Sequence, residues 1–121
     1  MEEFLIDCSP GISGDMFLGA LYDLGVPKNI IENPLNSIGL KDFYNLSFRE
    51  GKSSSIRGVK AHIEVVANPL KRDWRSIKEL ILKGSLKIEL EQKIIKVFQM
   101  LAEAEGKVHG TDPDEVHFHE I

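Results

Sequence analysis

Cysteine is almost absent from this sequence, which has a single one, Cys8, among its 121 residues. One cysteine excludes an internal disulfide, as is typical of proteins from a reducing compartment. Long apolar runs are also missing, since none approaches the roughly 20 residues that span a bilayer, and the first residues lack the basic and apolar regions of a signal peptide. We therefore expect a cytoplasmic protein without a membrane segment, in which Cys8 is a small buried residue.

An excess of positive charge is missing as well. The chain has 15 Lys and Arg residues against 19 Asp and Glu residues, a net charge of -4, and its lysines are scattered. A nucleic-acid surface needs a concentrated basic patch, so we expect no binding to DNA or RNA. The length suits a single domain, residues 1–121, that is large enough to bury a core.

The N-terminal stretch, residues 4–25, has the most compact pattern in the chain. The apolar run 4–6 predicts a short strand, and turn-forming residues fill the segment 7–15. Ser13 is placed to cap the helix that follows, and Gly25 stands where a glycine commonly ends a helix. The stretch therefore predicts a strand, a tight loop and a helix start in succession.

This loop has two interpretations. Ser13, Gly14 and Asp15 could bind a cofactor by turning backbone N–H groups toward an anion at the helix start. The glycine spacing matches neither the dinucleotide fingerprint nor the P-loop, which favours the second interpretation, a plain strand-to-helix turn. Asp7 and Asp15 are then either capping residues or carboxylates that face a ligand together.

The rest of the chain alternates between helical and strand patterns. We predict a helix that begins at Pro27 and is broken or kinked at Pro34. A hairpin of strands 44–49 and 59–65 follows, with a mobile polar connection 51–58. Two helices, capped by Asp73 and Ser85, and a last strand 116–121 complete the chain. This order predicts an α+β fold with helices packed on a small, mainly antiparallel sheet. The simplest topology of this kind is the ferredoxin-like split βαβ arrangement.

Histidine is concentrated near the end of the sequence, where three of the four in the chain, His109, His117 and His119, are found. If the last segment is a strand, His117 and His119 point to the same face, which suits a divalent metal such as nickel or zinc. The alternative is a polar edge strand whose imidazoles face water, because His-x-His has no third ligand nearby in sequence.

The predicted topology would connect the two ends of the chain. In a split βαβ fold the last strand pairs antiparallel with the first, which brings the loop 7–15 close to the turn that follows His109. His109 or His117, with Asp7 or Asp15, is then expected to form a mixed nitrogen and oxygen site able to hold a divalent metal such as nickel while leaving coordination positions open.

Two groups of residues carry a family likeness. They are Ser13-Gly14-Asp15-Met16 with Leu18-Gly19-Ala20-Leu21 and Leu24-Gly25, then Leu101-Ala102-Glu103-Ala104-Glu105 with Val108-His109-Gly110 and Val116-His117-Phe118-His119-Glu120. On these residues the chain resembles the LarC family of nickel-insertion proteins. The likeness covers essentially the whole chain, but only the N-terminal portion of the family, whose members are typically much longer.

The resemblance implies a nickel chelatase, a lyase that inserts nickel into pyridinium-3,5-bisthiocarboxylic acid mononucleotide to make the nickel-pincer nucleotide cofactor. It associates CTP and its metal with the C-terminal portion of the family, so this chain alone is expected to be inactive. The expected partners are that C-terminal portion, the nucleotide-like precursor and, in a homo-oligomer, further copies of the chain. The alternative is a non-catalytic domain that positions the catalytic portion. Family members often have a histidine-rich stretch where residues 68–74 here have no histidine, so nickel storage by that stretch is not expected.

Overall fold

Residues 3–67 and 72–119, the part of the chain that the computed structural model describes, fold into four α-helices, a two-stranded sheet and a short 3-10 helix. The elements in order are α1 Gly14–Asp23, α2 Lys28–Ser37, β1 Tyr44–Ser53, β2 Ile56–Val65, α3 Trp74–Lys83, α4 Ile88–His109 and the 3-10 helix Pro113–Glu115. The predicted α+β class is confirmed. None of the helices in these two ranges combines the length and the apolar character that a membrane span requires.

The described residues form two compact units. Residues 3–28 and 44–65 make up the first, here termed the hairpin unit, which contains α1, β1 and β2. Residues 29–43, 66–67 and 72–119 make up the second, here termed the helical unit, which contains nearly all of α2 together with α3, α4 and the 3-10 helix. A single domain that spans the whole chain stays a prediction.

In the hairpin unit, α1 lies directly on the backbone of β2. The strands pair antiparallel with Leu46 opposite Ile63, and the buried side chains of Leu46 and Ala61 lie on the face shared by these positions. Gly19 of α1 is buried, and a Cβ at this position would lie 2.4 Å from the carbonyl oxygen of Val59. A residue without a side chain is therefore needed where helix and strand meet.

The C-terminal end of α1 makes two further contacts with the hairpin. The Tyr22 ring stacks on Phe48 with centroids 4.0 Å apart. Arg57 of β2 bonds to Asp23 at 2.9 Å and to Glu50 at 2.7 Å, and these contacts, with Glu50 foremost, raise the pKa of the guanidinium. Arg57 therefore neutralises two carboxylates and fixes the helix to the sheet.

The hairpin is longer than the sequence predicts. The expected mobile connection 51–58 is largely paired, because the ladder continues to Ser53 opposite Ile56 and leaves a two-residue turn of Ser54 and Ser55. Both turn residues have positive φ, 48° and 67°. Two positive φ values in a two-residue loop are characteristic of a type I′ turn, whose twist matches that of paired strands. The prediction of a long loop is wrong, since serines occupy positions where Asn-Gly is the usual signal.

Helices α3 and α4 enclose an aromatic core in the helical unit. Trp74 and Phe98 stack with centroids 5.7 Å apart, and Phe118 meets these two rings at 6.4 Å and 5.7 Å. The indole N–H of Trp74 donates to Gln99 Oε1 at 2.8 Å, so the polar atom of the buried ring has a partner. The remaining buried members of the cluster are Ile81, Ala102 and Val116.

The two outer strands predicted for the sheet are not formed by the described residues. Residues 4–6 are not paired as a strand and have exposed apolar side chains. The segment 116–119 instead makes an isolated antiparallel bridge, His117 to Asp73, because its buried side chains belong to the aromatic core. The sheet of the described residues has two strands, so the split βαβ arrangement is wrong. Residues 120–121 of the predicted last strand lie outside the described residues.

The helix boundaries agree in part with the sequence. Ser13 is the N-cap residue of α1, and Gly25, with φ of 98°, follows its end as predicted. Helix α2 continues through Pro34, so the expected break does not occur, and a kink at this residue stays a prediction. Helix α4 begins after the predicted cap Ser85, because the backbone N–H of Ser85 donates to the Ser37 carbonyl in an extended segment before the helix.

Candidate functional site

The first candidate loop, residues 7–15, begins with an aspartate held by its own neighbours. Asp7 Oδ1 accepts hydrogen bonds from the backbone N–H of Ser9, at 2.9 Å, and from the Ser9 hydroxyl. A tight turn follows, in which the N–H of Gly11 donates to the Cys8 carbonyl at 2.9 Å. Gly11 has φ of 92°, a conformation that favours glycine, so the turn depends on this residue.

Asp15 is held in a similar way at the start of α1. Its Oδ1 accepts hydrogen bonds from the Ser13 hydroxyl and, at 2.9 Å, from the backbone N–H of Met16. A Cβ at Gly14 would meet no atom within 4 Å, so the space beside this residue is open. The three predicted cofactor-binding residues, Ser13, Gly14 and Asp15, are all exposed.

The electrostatics of the loop favour cations. Hydrogen bonds from Ser9 lower the pKa of Asp7, and hydrogen bonds from Ser13 and then Met16 lower the pKa of Asp15. Both carboxylates are therefore ionised at neutral pH. Two exposed negative charges in one loop repel a free anion and attract a cation. The loop suits a metal ion or a hydroxyl-bearing ligand better than a bare phosphate.

Cys8 lies in the same loop and is exposed. The expectation that it is a small buried residue is wrong. Residues 4–6 form no strand that could carry Cys8 into a core.

The second candidate segment, residues 116–119, alternates between buried and exposed positions. Val116 and Phe118 are 4% and 1% exposed, whereas His117 and His119 are exposed. The period-two pattern of an extended segment places both imidazoles on the solvent side. Backbone hydrogen bonds on either side of the bridge, such as Trp74 N–H to the Val116 carbonyl at 2.9 Å, fix this orientation.

Asp73 is a neighbour of His117 that the sequence did not reveal as part of this site. It caps α3 by accepting hydrogen bonds from the Ser76 backbone N–H at 3.0 Å and from the Ser76 hydroxyl at 2.9 Å. Burial raises the pKa of Asp73, but the hydrogen bonds from Ser76 and the charge of His117 oppose it, and the pKa is lowered overall. The sequence predicts Asp73 as a helix cap, and only the tertiary bridge shows its second neighbour.

His109, the third predicted imidazole ligand, is the last residue of α4. Its Nε2 lies 3.2 Å from the carboxylate of Glu105, one helical turn earlier. Gly110, with φ of 65°, ends the helix directly after it. His109 is therefore held near a carboxylate but remains exposed.

The structure does not gather these candidates into one preformed centre. In the described part of the chain, no group of three or more His, Cys, Asp or Glu side chains is arranged to hold a metal ion. The predicted joint site relied on pairing between the first and last strands, which the described residues do not form. Asp7 and Asp15 belong to the hairpin unit, whereas His109, His117 and His119 belong to the helical unit. Their roles as nickel ligands stay predictions.

Comparison with known sequences identifies the family. The chain matches the family Ni_insertion, described as nickel insertion protein, over residues 4–121. The chain belongs to this nickel insertion family. The match includes both candidate segments, the loop 7–15 and the histidine segment 116–119, so the likeness to LarC proteins is confirmed.

Its relatives in the family are much longer proteins. A pyridinium-3,5-bisthiocarboxylic acid mononucleotide nickel insertion protein of Desulfitobacterium hafniense is 36% identical over 121 residues, which are 100% of this chain and 30% of the relative. A putative nickel insertion protein of Syntrophobacter fumaroxidans is 40% identical over 121 residues, 100% of this chain and 31% of the relative. A relative from Nocardioides sp., named like the first, is 34% identical over 116 residues, 96% of this chain and 29% of its own length. This family member thus spans roughly a third of the curated relatives it matches. No solved structure matches it.

Proposed function

We propose that this chain is the N-terminal portion of a protein that inserts nickel into pyridinium-3,5-bisthiocarboxylic acid mononucleotide to form the nickel-pincer nucleotide. The observation that carries the proposal is the family match over residues 4–121, together with the names of the relatives. Nickel is a substrate in this proposal, and the activity is that of a nickel chelatase, a lyase. CTP and its metal bind in the portion of the longer protein that this chain does not include. A cytoplasmic location belongs to the same proposal and is supported by the exposed, unpaired thiol of Cys8.

The histidine segment is the part of the chain best suited to nickel itself. Imidazole nitrogen is a favourable ligand for Ni²⁺, and His117 and His119 share the solvent side of one segment. Two exposed nitrogen ligands leave coordination positions for a second molecule, so they suit transfer of the ion. His109, held near Glu105 by α4, is a further exposed imidazole in the same unit.

The loop at the start of α1 is the part best suited to the precursor. A mononucleotide carries ribose hydroxyl groups, and the ionised carboxylates of Asp7 and Asp15 are strong acceptors for such donors. Ser13 adds a hydroxyl and Gly14 an open backbone position beside them. The same carboxylates repel the phosphate, so we assign this loop to the hydroxyl side of the precursor or to the metal.

A nickel-binding experiment separates this proposal from its alternative, a non-catalytic domain that positions the catalytic portion. Equilibrium dialysis with nickel compares the wild-type chain with the double variant His117→Ala, His119→Ala. We expect the double variant to bind nickel more weakly than the wild type. His62→Ala is the matched control, because His62 is exposed on β2 outside the histidine segment and its loss should leave nickel binding unchanged. Equally weak binding by wild type and double variant supports the non-catalytic domain instead.

A second experiment tests whether the chain acts alone. The purified chain is mixed with nickel, CTP and the pyridinium precursor, and the nickel-pincer nucleotide is measured. We expect no product, because the chain spans only 30% of its relative from Desulfitobacterium hafniense. Measurable turnover contradicts the division of roles proposed here.

A further inference from the structure

Helix α4 has two apolar faces, and none of the described residues covers the second of them. Phe98 and Ala102 lie on the face that packs into the aromatic core. On another face, Val97, Met100 and Val108 are 67%, 61% and 78% exposed. A contiguous apolar patch along one helix is typical of a surface that contacts another molecule, whereas single exposed apolar side chains are common on any protein.

The uncovered face has the spacing of a helix-packing seam. Its apolar residues, here termed the α4 seam, are Leu90, Ile94, Val97, Leu101, Ala104 and Val108. They follow one another at alternating steps of four and three residues, the pattern by which one helix packs along another. All of them except Ile94, which is half-buried at the edge of the core, are exposed. The α4 seam is therefore shaped for a second helix.

A cavity adjoins the C-terminal half of the α4 seam. It has a volume of about 670 Å³ and is lined by residues that include Met100, Glu103, Ala104, Lys107 and Pro113. A cavity of this size beside a packing seam accepts a large apolar side chain from a docked helix, the kind of anchor that dominates binding energy at interfaces.

We propose that the α4 seam and this cavity are the docking surface for a helix from the portion of the longer protein that this chain does not include. The relative from Desulfitobacterium hafniense has 70% of its length outside the matched region, since the match covers 30% of it. That polypeptide is an available source of a covering helix. The inference rests on the proposed function in one respect: it takes this chain to be the N-terminal portion of a protein as long as its relatives.

The charges beside the α4 seam disfavour a second copy of this chain as the occupant. Lys93 and Lys107 flank the seam on one side, and Glu91 and Glu105 flank it on the other. In an antiparallel pair of copies the lysine flanks would face each other, and so would the glutamate flanks, so like charges would repel. In a parallel pair Lys93 would lie opposite Phe98 of the other copy and would gain no ion pair. A helix with acidic residues facing the two lysines is complementary in shape and in charge.

Binding of the missing portion tests the proposal directly. The probe is the remainder of the Desulfitobacterium hafniense protein, produced as a separate polypeptide and titrated calorimetrically with this chain in the absence of nickel. We expect the wild type to bind and Val97→Lys or Leu101→Lys to weaken the affinity by about tenfold or more, because a charge would be buried in an apolar contact. Gln92→Lys is the matched control: it adds the same charge at an exposed position of α4 outside the seam and should bind as the wild type does. Circular dichroism establishes that each variant keeps its helix content.

Three outcomes overturn the proposal. They are no binding by the wild type, equal binding by the wild type and the seam variants, and a dimer of the chain in sedimentation equilibrium that Val97→Lys dissociates. The last outcome assigns the seam to a second copy. Nickel is absent from this experiment, so its failure is distinct from a failure of nickel binding by the histidine variants.

Discussion

The hairpin unit and the helical unit are stabilised by different means. In the hairpin unit a helix lies on strand backbone at Gly19, and the buried apolar side chains are those of Leu46 and Ala61. In the helical unit three aromatic rings, those of Trp74, Phe98 and Phe118, fill the core. Gly106 of the helical unit also packs closely, with a Cβ 2.7 Å from the Thr111 carbonyl oxygen, but only the helical unit has an aromatic core. An added methyl group therefore tests the hairpin unit at Gly19, and a removed ring tests the helical unit at Trp74.

The largest effect is expected from Trp74→Ala in the helical unit. Removing a fully buried indole leaves a cavity between α3 and α4, which typically costs about 3–5 kcal/mol of unfolding free energy. Urea denaturation followed by circular dichroism measures this cost. Trp74→Phe is the control, because it keeps an aromatic ring and loses the hydrogen bond to Gln99, and it should cost clearly less. If Trp74→Ala costs no more unfolding free energy than Trp74→Phe, the aromatic core is not what stabilises the helical unit.

The next largest effect is expected from Gly19→Ala in the hairpin unit. The added methyl group would lie 2.4 Å from the Val59 carbonyl oxygen, so α1 must move away from β2. Overpacking of this kind costs about 1–3 kcal/mol. The matched control is Gly58→Ala, where a Cβ meets no atom within 4 Å and little change is expected. Equal stability of the two variants in urea denaturation would mean that helix and strand do not approach so closely.

A smaller effect with a defined pH dependence is expected from Asp73→Ala. Loss of an N-cap aspartate typically costs about 1 kcal/mol. The folded state lowers the pKa of Asp73 below the ordinary 3.8, so its stabilisation is complete above that pH and is lost as the pH falls through the folded pKa. Unfolding measured between neutral and acidic pH should show a difference between wild type and variant that shrinks below pH 3.8. Asp42→Ala is the control, because Asp42 is exposed and caps no helix. If the difference in unfolding free energy between wild type and Asp73→Ala does not change with pH, the ionised carboxylate of Asp73 is not the source of the stabilisation.

The smallest effect on stability is expected from Asp15→Asn in the candidate loop. Asp15 is exposed, its hydrogen bonds are to near neighbours, and asparagine keeps an acceptor oxygen in the same place. The midpoint of thermal unfolding should therefore stay unchanged. A large decrease would show that Asp15 is a structural residue of α1 and would weaken its assignment to a ligand.

Local patterns of sequence predict much of this fold. Alternating residues predict both hairpin strands, the cap at Asp73 predicts α3, and Gly25 predicts the end of α1. The predictions that are wrong, a strand at residues 4–6 and a long loop at 51–58, have physical causes. The apolar run 4–6 reads as a strand, although periodicity alone does not provide a partner for it. The Ser54–Ser55 turn was missed because its positive φ values are set by the strands on either side.

The candidate site is harder to predict from sequence than the fold, because it depends on contacts between residues far apart in the chain. Loops and histidines of the right type can be recognised, and the exposed positions of His117 and His119 follow from alternation with Phe118. The bridge from His117 to Asp73 joins segments far apart in sequence and is directed by the burial of aromatic rings. No local pattern contains that information.

The Ser54–Ser55 turn also bears on the order in which the chain folds. The ladder extends outward from the turn, from Ser53 opposite Ile56 to Tyr44 opposite Val65, so each new pair closes only a short additional loop. Isolated hairpins form in about 1–10 μs, far faster than residues leave the ribosome. The aromatic core must wait for Phe118, whereas the hairpin and α1 need nothing beyond Val65. During synthesis the hairpin unit can therefore fold first and be complete while the residues of the helical unit are still emerging.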